Sequence, residues 1–278
     1  MKISITIILL FISLFCEGQA NGEREYINPY MNGQLSQYYN PNQVDFSKEF
    51  LIQSRKEIST STINISDKVR AYRFDVDSIF KTWDKQQNGI IGTNYKRIRI
   101  HISKAEQSKD SELSFIIKGK SNVDRNICDF KGTIKIIDIY EFTNNIELSG
   151  QAVLYAEYEL VEDSLQTHTG IFRGTFECFI VVDHKLKTVK LDESSDVADG
   201  YSNRTYVGTW TSFNGSAQKK CIWGDYRLPY TFDFDCGDGE MMINEKYKKN
   251  GWESFGDGSE FEFIGDSFYL KDKWWFTK

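Results

Sequence analysis

Residues 170–183 read GIFRGTFECFIVVD. Phe172, Gly174, Phe176, Cys178, Ile180 and Val182 fall on one face of an extended chain. Arg173, Thr175 and Glu177 fall on the other, before Phe179 and Val181 turn that face apolar. Successive side chains of a strand point to opposite sides, so this is the pattern of a half-buried antiparallel strand. The same period runs through YKRIRIHI (95–102), where Ile98, Ile100 and Ile102 alternate with Arg97, Arg99 and His101, and through ELSFIIKGK (112–120). FKGTIKIIDIY (130–140) and SGQAVLYAEYEL (149–160) are rich in β-branched and aromatic residues. Polar turns such as SKAEQSKDSE and VEDSLQTHT space these runs, and helical periodicity is nearly absent.

Gly-Thr recurs before a large apolar residue in FKGTI, FRGTF and VGTW. Glycine inside a strand marks a bend, a bulge or a close backbone approach. The expected fold is therefore mainly β, with an antiparallel, strongly curved sheet. A calycin-like barrel is preferred to a two-sheet sandwich, because closure removes exposed strand edges. The intervals between the Gly-Thr phrases are unequal, which argues against a propeller. At the end of the chain, GSEFEFIGDSFYLKDKWWFTK alternates around a turn near Gly265–Asp266. Trp274, Trp275 and Phe276 are expected to close one end of the core.

Three segments are expected: a signal peptide over 1–20, an irregular and partly helical segment over 21–90, and an antiparallel β domain over 91–278 with a β/loop extension from about 231. Lys2, the apolar run ISITIILLFISLF and the small residues Gly18 and Ala20 fit export with cleavage after Ala20. Phe15 before Cys16 argues against a lipid anchor there, and the apolar run is too short to span a bilayer. Within 21–90, two Asn-Pro pairs break regular structure. DFSKEFLIQSRKE (45–57) reads as a helix capped by Asp45 or Ser47, with Phe46, Phe50 and Leu51 on its apolar face. The expected location is secreted or periplasmic.

The formal charge is −6, and loss of residues 1–20 leaves it unchanged because Lys2 and Glu17 go together. The lysines are scattered along the chain and form no basic stripe, so nucleic acid is not an expected partner. Cys128, Cys178, Cys221 and Cys236 remain after cleavage. In an oxidising compartment they are disulfide candidates, with three connectivities open. No CxxC occurs, and His101, His168 and His184 stand apart, so no zinc pattern is present.

The stretch most suggestive of a site is CIWGDYRLPYTFDFDCGDGE (221–240). If it is extended, Trp223, Asp225 and Arg227 share a face beside Tyr226, and an Asp–Arg pair next to an indole fits a polar ligand. Asp233, Asp235, Asp238 and Glu240 crowd a glycine-containing turn, and carboxylates so placed either hold a cation such as calcium or stand in water. Calcium is the one cofactor left open. WDKQQNGIIGTNY matches a calcium-binding EF-hand loop at Asp84, Asn88 and Gly89, but has Gln86 and Tyr95 where carboxylates are required. Glu157 and Glu159 stand roughly 7 Å apart on one strand face, near the spacing of a retaining glycosidase. No nucleophile elbow, zinc helix, P-loop or dinucleotide fingerprint occurs, and no catalytic residue is assigned.

NICDFKGTI, GIFRGTF, YVGTWTSF, KKCIWGDYRLP and EKYKKNGW resemble a family of uncharacterised secreted bacterial proteins over roughly residues 95–255. The resemblance implies export and transfers no functional residue. VGTW is also similar to the lipocalin Gly-x-Trp signature, although lipocalins carry theirs on the first barrel strand. The expected function is non-catalytic binding of a small molecule or protein, in the barrel mouth or on the Trp223–Glu240 segment. The alternatives are a secreted hydrolase using paired carboxylates and a cell-surface interaction module.

Overall fold

The structure is a computed structural model that describes residues 27–143, 150–194, 200–264 and 267–277. The expected leader, Cys16 and the turn at Gly265–Asp266 lie outside the described residues. In chain order the elements are α1 (Ser47–Ile58), β1 (Thr62–Asn64), α2 (Ser66–Val69), β2 (Arg73–Phe74), α3 (Val76–Phe80), β3 (Gln87–Ile91), β4 (Lys96–Gln107), β5 (Ser114–Val123), β6 (Asn126–Phe142), β7 (Gln151–Glu162), β8 (Gly170–Asp183), β9 (Thr188–Leu191), β10 (Thr205–Ser212), β11 (Gln218–Gly224), α4 (Glu245–Lys248), β12 (Phe261–Ile264) and β13 (Ser267–Leu270).

The chain is mainly β, built on one large and mostly antiparallel sheet. Eight strands pair in a ring, β3–β4–β5–β6–β7–β8–β10–β11 and back to β3. The closing pair sets Cys221 opposite Ile91 and Trp223 opposite Gly89. β1 and β9 hang on the edges of β6 and β8, and β2 pairs with β9 in parallel.

The period-two faces explain which side chains enter. Ile98, Ile100, Ile102, Phe115, Ile117, Leu160, Phe172 and Phe176 point inward and are buried. Phe80, from α3, enters the same core and touches Phe115 and Phe176, at ring-centroid separations of 5.0 and 5.7 Å. These side chains pack together inside the ring as one apolar core. Register shifts fall at Ile102/Lys104 and Ile136/Asp138. The Gly-Thr glycines stay in register. A Cβ on Gly132 would come within 1.9 Å of the Glu159 carbonyl oxygen, so these glycines serve close backbone approach, not bulges.

A second apolar cluster lies outside the ring. Ile90, Val207 and Ile222 point outward and are covered by Leu35, Phe46 and Phe50 from the N-terminal segment and by Leu228, Tyr230, Phe232 and Phe234 from the chain after β11. The helix expected over 45–57 forms as α1. Phe46 occupies the N-cap position, and Asp45 accepts a hydrogen bond from the Ser47 amide at 2.9 Å. Phe46 and Phe50 are fully buried, and Leu51 is only half-buried.

Two expectations are corrected. Cys128, Cys178, Cys221 and Cys236 are all free, because they lie on separate strands or loops and none is registered opposite another cysteine. Cys128, Cys178 and Cys221 are buried thiols, and Cys236 is exposed. Trp274 and Trp275 do not plug the ring; they pack with Leu270 against its outer face, and Phe276 projects into solvent. Among the described residues no helix is long and apolar enough to cross a membrane.

Candidate functional site

The segment that looked most like a site is committed to internal contacts. Trp223 points into the ring, is 0 % exposed and stacks on Tyr206 at 4.6 Å and 11°. Asp225 and Arg227 do not meet. Asp225 accepts from Arg204 Nε at 2.7 Å and from Gln87 Nε2 at 2.8 Å. The Tyr226 hydroxyl accepts from the Met241 amide at 3.3 Å. Arg227 turns instead to the acidic loop. Its Nε donates to Asp235 Oδ2 at 2.7 Å, Nη1 donates to the Gly239 carbonyl at 2.8 Å, and Nη2 donates to the Gly237 carbonyl.

Asp235 is buried, and its other oxygen accepts from the amides of Gly237 and Met242, both at 3.1 Å. The cation this loop is folded around is thus a guanidinium. Asp233 pairs with Lys246, while Asp238 and Glu240 are exposed. Among the described residues no three His, Cys, Asp or Glu side chains converge as metal ligands. Glu157 and Glu159 stand on the outer face of β7, and Glu159 pairs with the cross-strand Arg173 at 2.7 Å. Asp84 pairs with Lys273 at 3.2 Å, and Asn88 accepts from Arg97.

A surface that offers a site is a groove of about 770 Å³ on the outer face of β4, β5 and β6, walled by the α3–β3 link and the C-terminal tail. Its floor is His101 on β4, stacked under Trp275 at 4.2 Å and 3°. His101 Nδ1 lies 3.0 Å from the Lys85 carbonyl oxygen, which only accepts, so Nδ1 carries the hydrogen. Burial pushes the imidazole below its ordinary range, with the Lys85 carbonyl opposing, so the ring is neutral near pH 7. The tail is strapped in place: Trp274 Nε1 donates to Gln86 Oε1 at 2.6 Å, and Lys120 Nζ donates to the Thr277 carbonyl at 3.0 Å.

Two aromatic rings stand open at the rim. Phe276 is 72 % exposed and Trp83 59 %. Trp83 sits at φ 51°, a left-handed conformation that a bulky residue avoids, with Lys81 Nζ 4.0 Å above its ring. Across the strands, Lys118 on β5 is registered directly opposite Lys131 on β6, and both line the groove. Neither makes an ion pair among the described residues, whereas Lys120 lies 3.5 Å from Asp129.

Sequence reasoning did not bring these residues together: Asp84 was read in a calcium-type loop, His101 as an isolated histidine, Trp275 and Phe276 as core-closing aromatics, and Trp83, Lys118 and Lys131 were not singled out. The signal available was the cross-strand lysine pair, which needs the register, and a Trp-Asp turn, which the calcium-loop pattern obscured. His184, which has no motif around it, does find partners: Nε2 lies 2.9 Å from Glu141 and Nδ1 lies 3.2 Å from the Tyr72 hydroxyl. That trio does not line the groove. Comparison with family models, with curated proteins and with solved structures found no match.

Proposed function

We propose that this chain is an exported, non-catalytic binding protein whose ligand lies in the outer groove between Trp83, Trp275 and Phe276. In this reading the ring is a calycin-like barrel used as a scaffold, and export follows the leader pattern of residues 1–20. The observation that carries the reading is the pair of open rings, Trp83 and Phe276, flanking a stacked His101–Trp275 floor. Exposed aromatics at the edge of a concave surface suit a ligand with a flat apolar face. Trp83 adds to this, because a strained backbone that holds an indole in solvent is characteristic of ligand-contacting positions.

Fluorine NMR on protein labelled with 5-fluorotryptophan tests the site. The Trp83 resonance is assigned from Trp83→Phe, and a library of soluble small molecules is screened. Hits are expected to shift the Trp83 and Trp275 signals and to leave the buried Trp223 and Trp252 unmoved. A screen whose hits shift only Trp223 or Trp252, or shift none of the tryptophans, overturns the assignment.

A further inference from the structure

Resting on that groove, we infer that its ligand is an anionic saccharide, held by Lys118 and Lys131 against the Trp83 and Phe276 rings. The lysines supply the charge argument. Directly opposed side chains on neighbouring strands have Cβ atoms only about 5 Å apart, and like charges so placed repel. Lys118 and Lys131 face each other in this way on a chain of net charge −6, and no carboxylate pairs with either among the described residues. A ligand carboxylate or sulfate between the two ammonium groups converts that repulsion into two charge-assisted hydrogen bonds.

The rest of the groove narrows the ligand class. Phe276 and Trp83 are largely exposed, with Lys81 over one face of the Trp83 ring, and exposed rings of this kind suit the C–H face of a pyranose. Asp129 and Asp163 line the same groove and provide acceptors for sugar hydroxyls. Asp84, Asp129 and Asp163 offset three of the four lysines that line the groove, Lys81, Lys118, Lys120 and Lys131, which suits a ligand of sparse charge better than a backbone with a phosphate on every residue. A polyhydroxylated ligand with sparse negative charge satisfies all of these groups at once.

The test uses the full chain and three probes: tetragalacturonic acid, a heparin-derived tetrasaccharide and neutral maltotetraose. Binding is read by calorimetry and by the fluorine signal of Trp83. At least one acidic probe is expected to bind more tightly than maltotetraose, with affinity falling as salt is raised. In Lys118→Gln/Lys131→Gln that affinity should fall about a hundredfold or more, as for loss of two charge-assisted hydrogen bonds, with the melting temperature unchanged or raised by relief of the repulsion. Equal binding of acidic and neutral probes, or indifference to the lysine substitutions, overturns the anionic class and leaves the groove intact. If none of the saccharides shifts Trp83 while other small molecules do, the saccharide assignment falls and the groove again stands. If nothing shifts Trp83, both readings fall together.

Discussion

The hydroxyl of Tyr158 lies so close over Gly208 that a Cβ on that glycine would approach it to 2.7 Å. Register explains the contact. Tyr158 on β7 is opposite Gly174 on β8, Gly174 is opposite Gly208 on β10, and Gly208 is opposite Cys221 on β11. The two glycines leave a bare lane across two strands, β8 and β10, and the phenol lies along it. A methyl group at Gly208 would also meet the Arg173 carbonyl oxygen at 2.0 Å, a backbone atom that cannot move aside. Gly208→Ala should therefore cost at least about 3 kcal/mol, above the usual range for overpacking. Gly33→Ala, where a Cβ meets nothing within 4 Å, should leave the melting temperature unchanged. The Tyr158 hydroxyl itself has no hydrogen-bond partner among the described residues, so Tyr158→Phe should be neutral or stabilising by about 1 kcal/mol. Thermal unfolding of the three variants checks the lane; equal losses in Gly208→Ala and Gly33→Ala would contradict it.

Glu177 predicts how stability depends on acid. It points out of the ring beneath α1, where the hydroxyl of Ser54 donates to it and also hydrogen-bonds Tyr155 at 2.6 Å. Burial pushes the carboxyl up to about 7, with the nearby Glu57 acting in the same direction and the hydroxyls opposing. An unfolded glutamate titrates near 4.3, so between roughly 4.3 and 7 the folded chain holds a proton that the unfolded chain lacks. That contribution is fully present below the unfolded value and is lost as pH rises through 7, at most about 4 kcal/mol. Glu177→Gln should flatten this limb of the stability curve and raise the melting temperature at pH 8. A variant that keeps the wild-type slope between pH 4.5 and 7.5 sinks the argument.

Lys220 bends the curve the other way. It points out of β11 into the second core, is 1 % exposed, and donates to the Tyr230 carbonyl at 3.3 Å. The rings of Tyr95, Phe232 and Phe46 surround Nζ at 4.6, 5.1 and 5.6 Å. Those rings favour the ammonium, but burial outweighs them and brings the group down to about 7. An unfolded lysine titrates near 10.4, so from about 7 to 10 the unfolded chain binds the extra proton and stability rises with pH. With Glu177 this places a shallow minimum of stability near neutral pH. Lys220→Met should remove the alkaline limb and be stabilising at pH 7 by about 1–4 kcal/mol, as for other buried charges replaced by apolar side chains. Urea unfolding from pH 6 to 10 measures it, and an unchanged alkaline slope rules it out.

Arg227 is expected to fix the 233–242 loop. Its guanidinium joins the buried Asp235 to the carbonyls of Gly237 and Gly239. Arg227→Ala leaves Asp235 buried without a charge partner, an effect worth about 3–5 kcal/mol. Arg227→Lys should lose less, because a single ammonium keeps the charge and forfeits the fork. Added calcium should leave the wild-type melting temperature unchanged, since the loop already surrounds a cation. A calcium-dependent rise would show that the acidic residues ligate a metal despite this pairing.

Much of the ring was readable from period two, because every inward residue of 98–102 and 172–182 is set by alternation alone. What alternation does not reveal is the outer face. Thr175 and Glu177 read as solvent-facing, yet α1 covers them; Arg97 and His101 read the same way, yet the chain after β11 covers them. Covering depends on long-range packing of irregular segments that carry no period. Asp225 and Arg227 were placed on one face by assuming extension, but β11 stops at Gly224 and each found a partner from elsewhere, Arg204 and Asp235. The groove escaped notice because Trp83, Lys118, Lys131 and Phe276 are distant in the chain and meet only through the fold.

Trp83 separates stability from function. Its backbone is held at φ 51° while its indole is mostly in solvent, so the residue contributes strain and little burial. A non-glycine residue in the left-handed region costs about 1 kcal/mol, and glycine occupies that region without penalty. Trp83→Gly relieves the strain but loses the Lys81 contact over the ring, which at an exposed site is worth about 0.5–1 kcal/mol. The two effects are of similar size, so the melting temperature should stay within a degree or two, about the shift expected for a few tenths of a kcal/mol. Any ligand that quenches Trp83 in the wild-type protein should bind the variant at least about tenfold more weakly, given the 1–3 kcal/mol typical of a stacking aromatic. Trp83→Phe, which keeps a ring, should retain most of the affinity. If Trp83→Gly binds as the wild type does, the exposed indole is not part of the site. If it unfolds several degrees earlier, the indole is structural and its strained backbone has no bearing on binding.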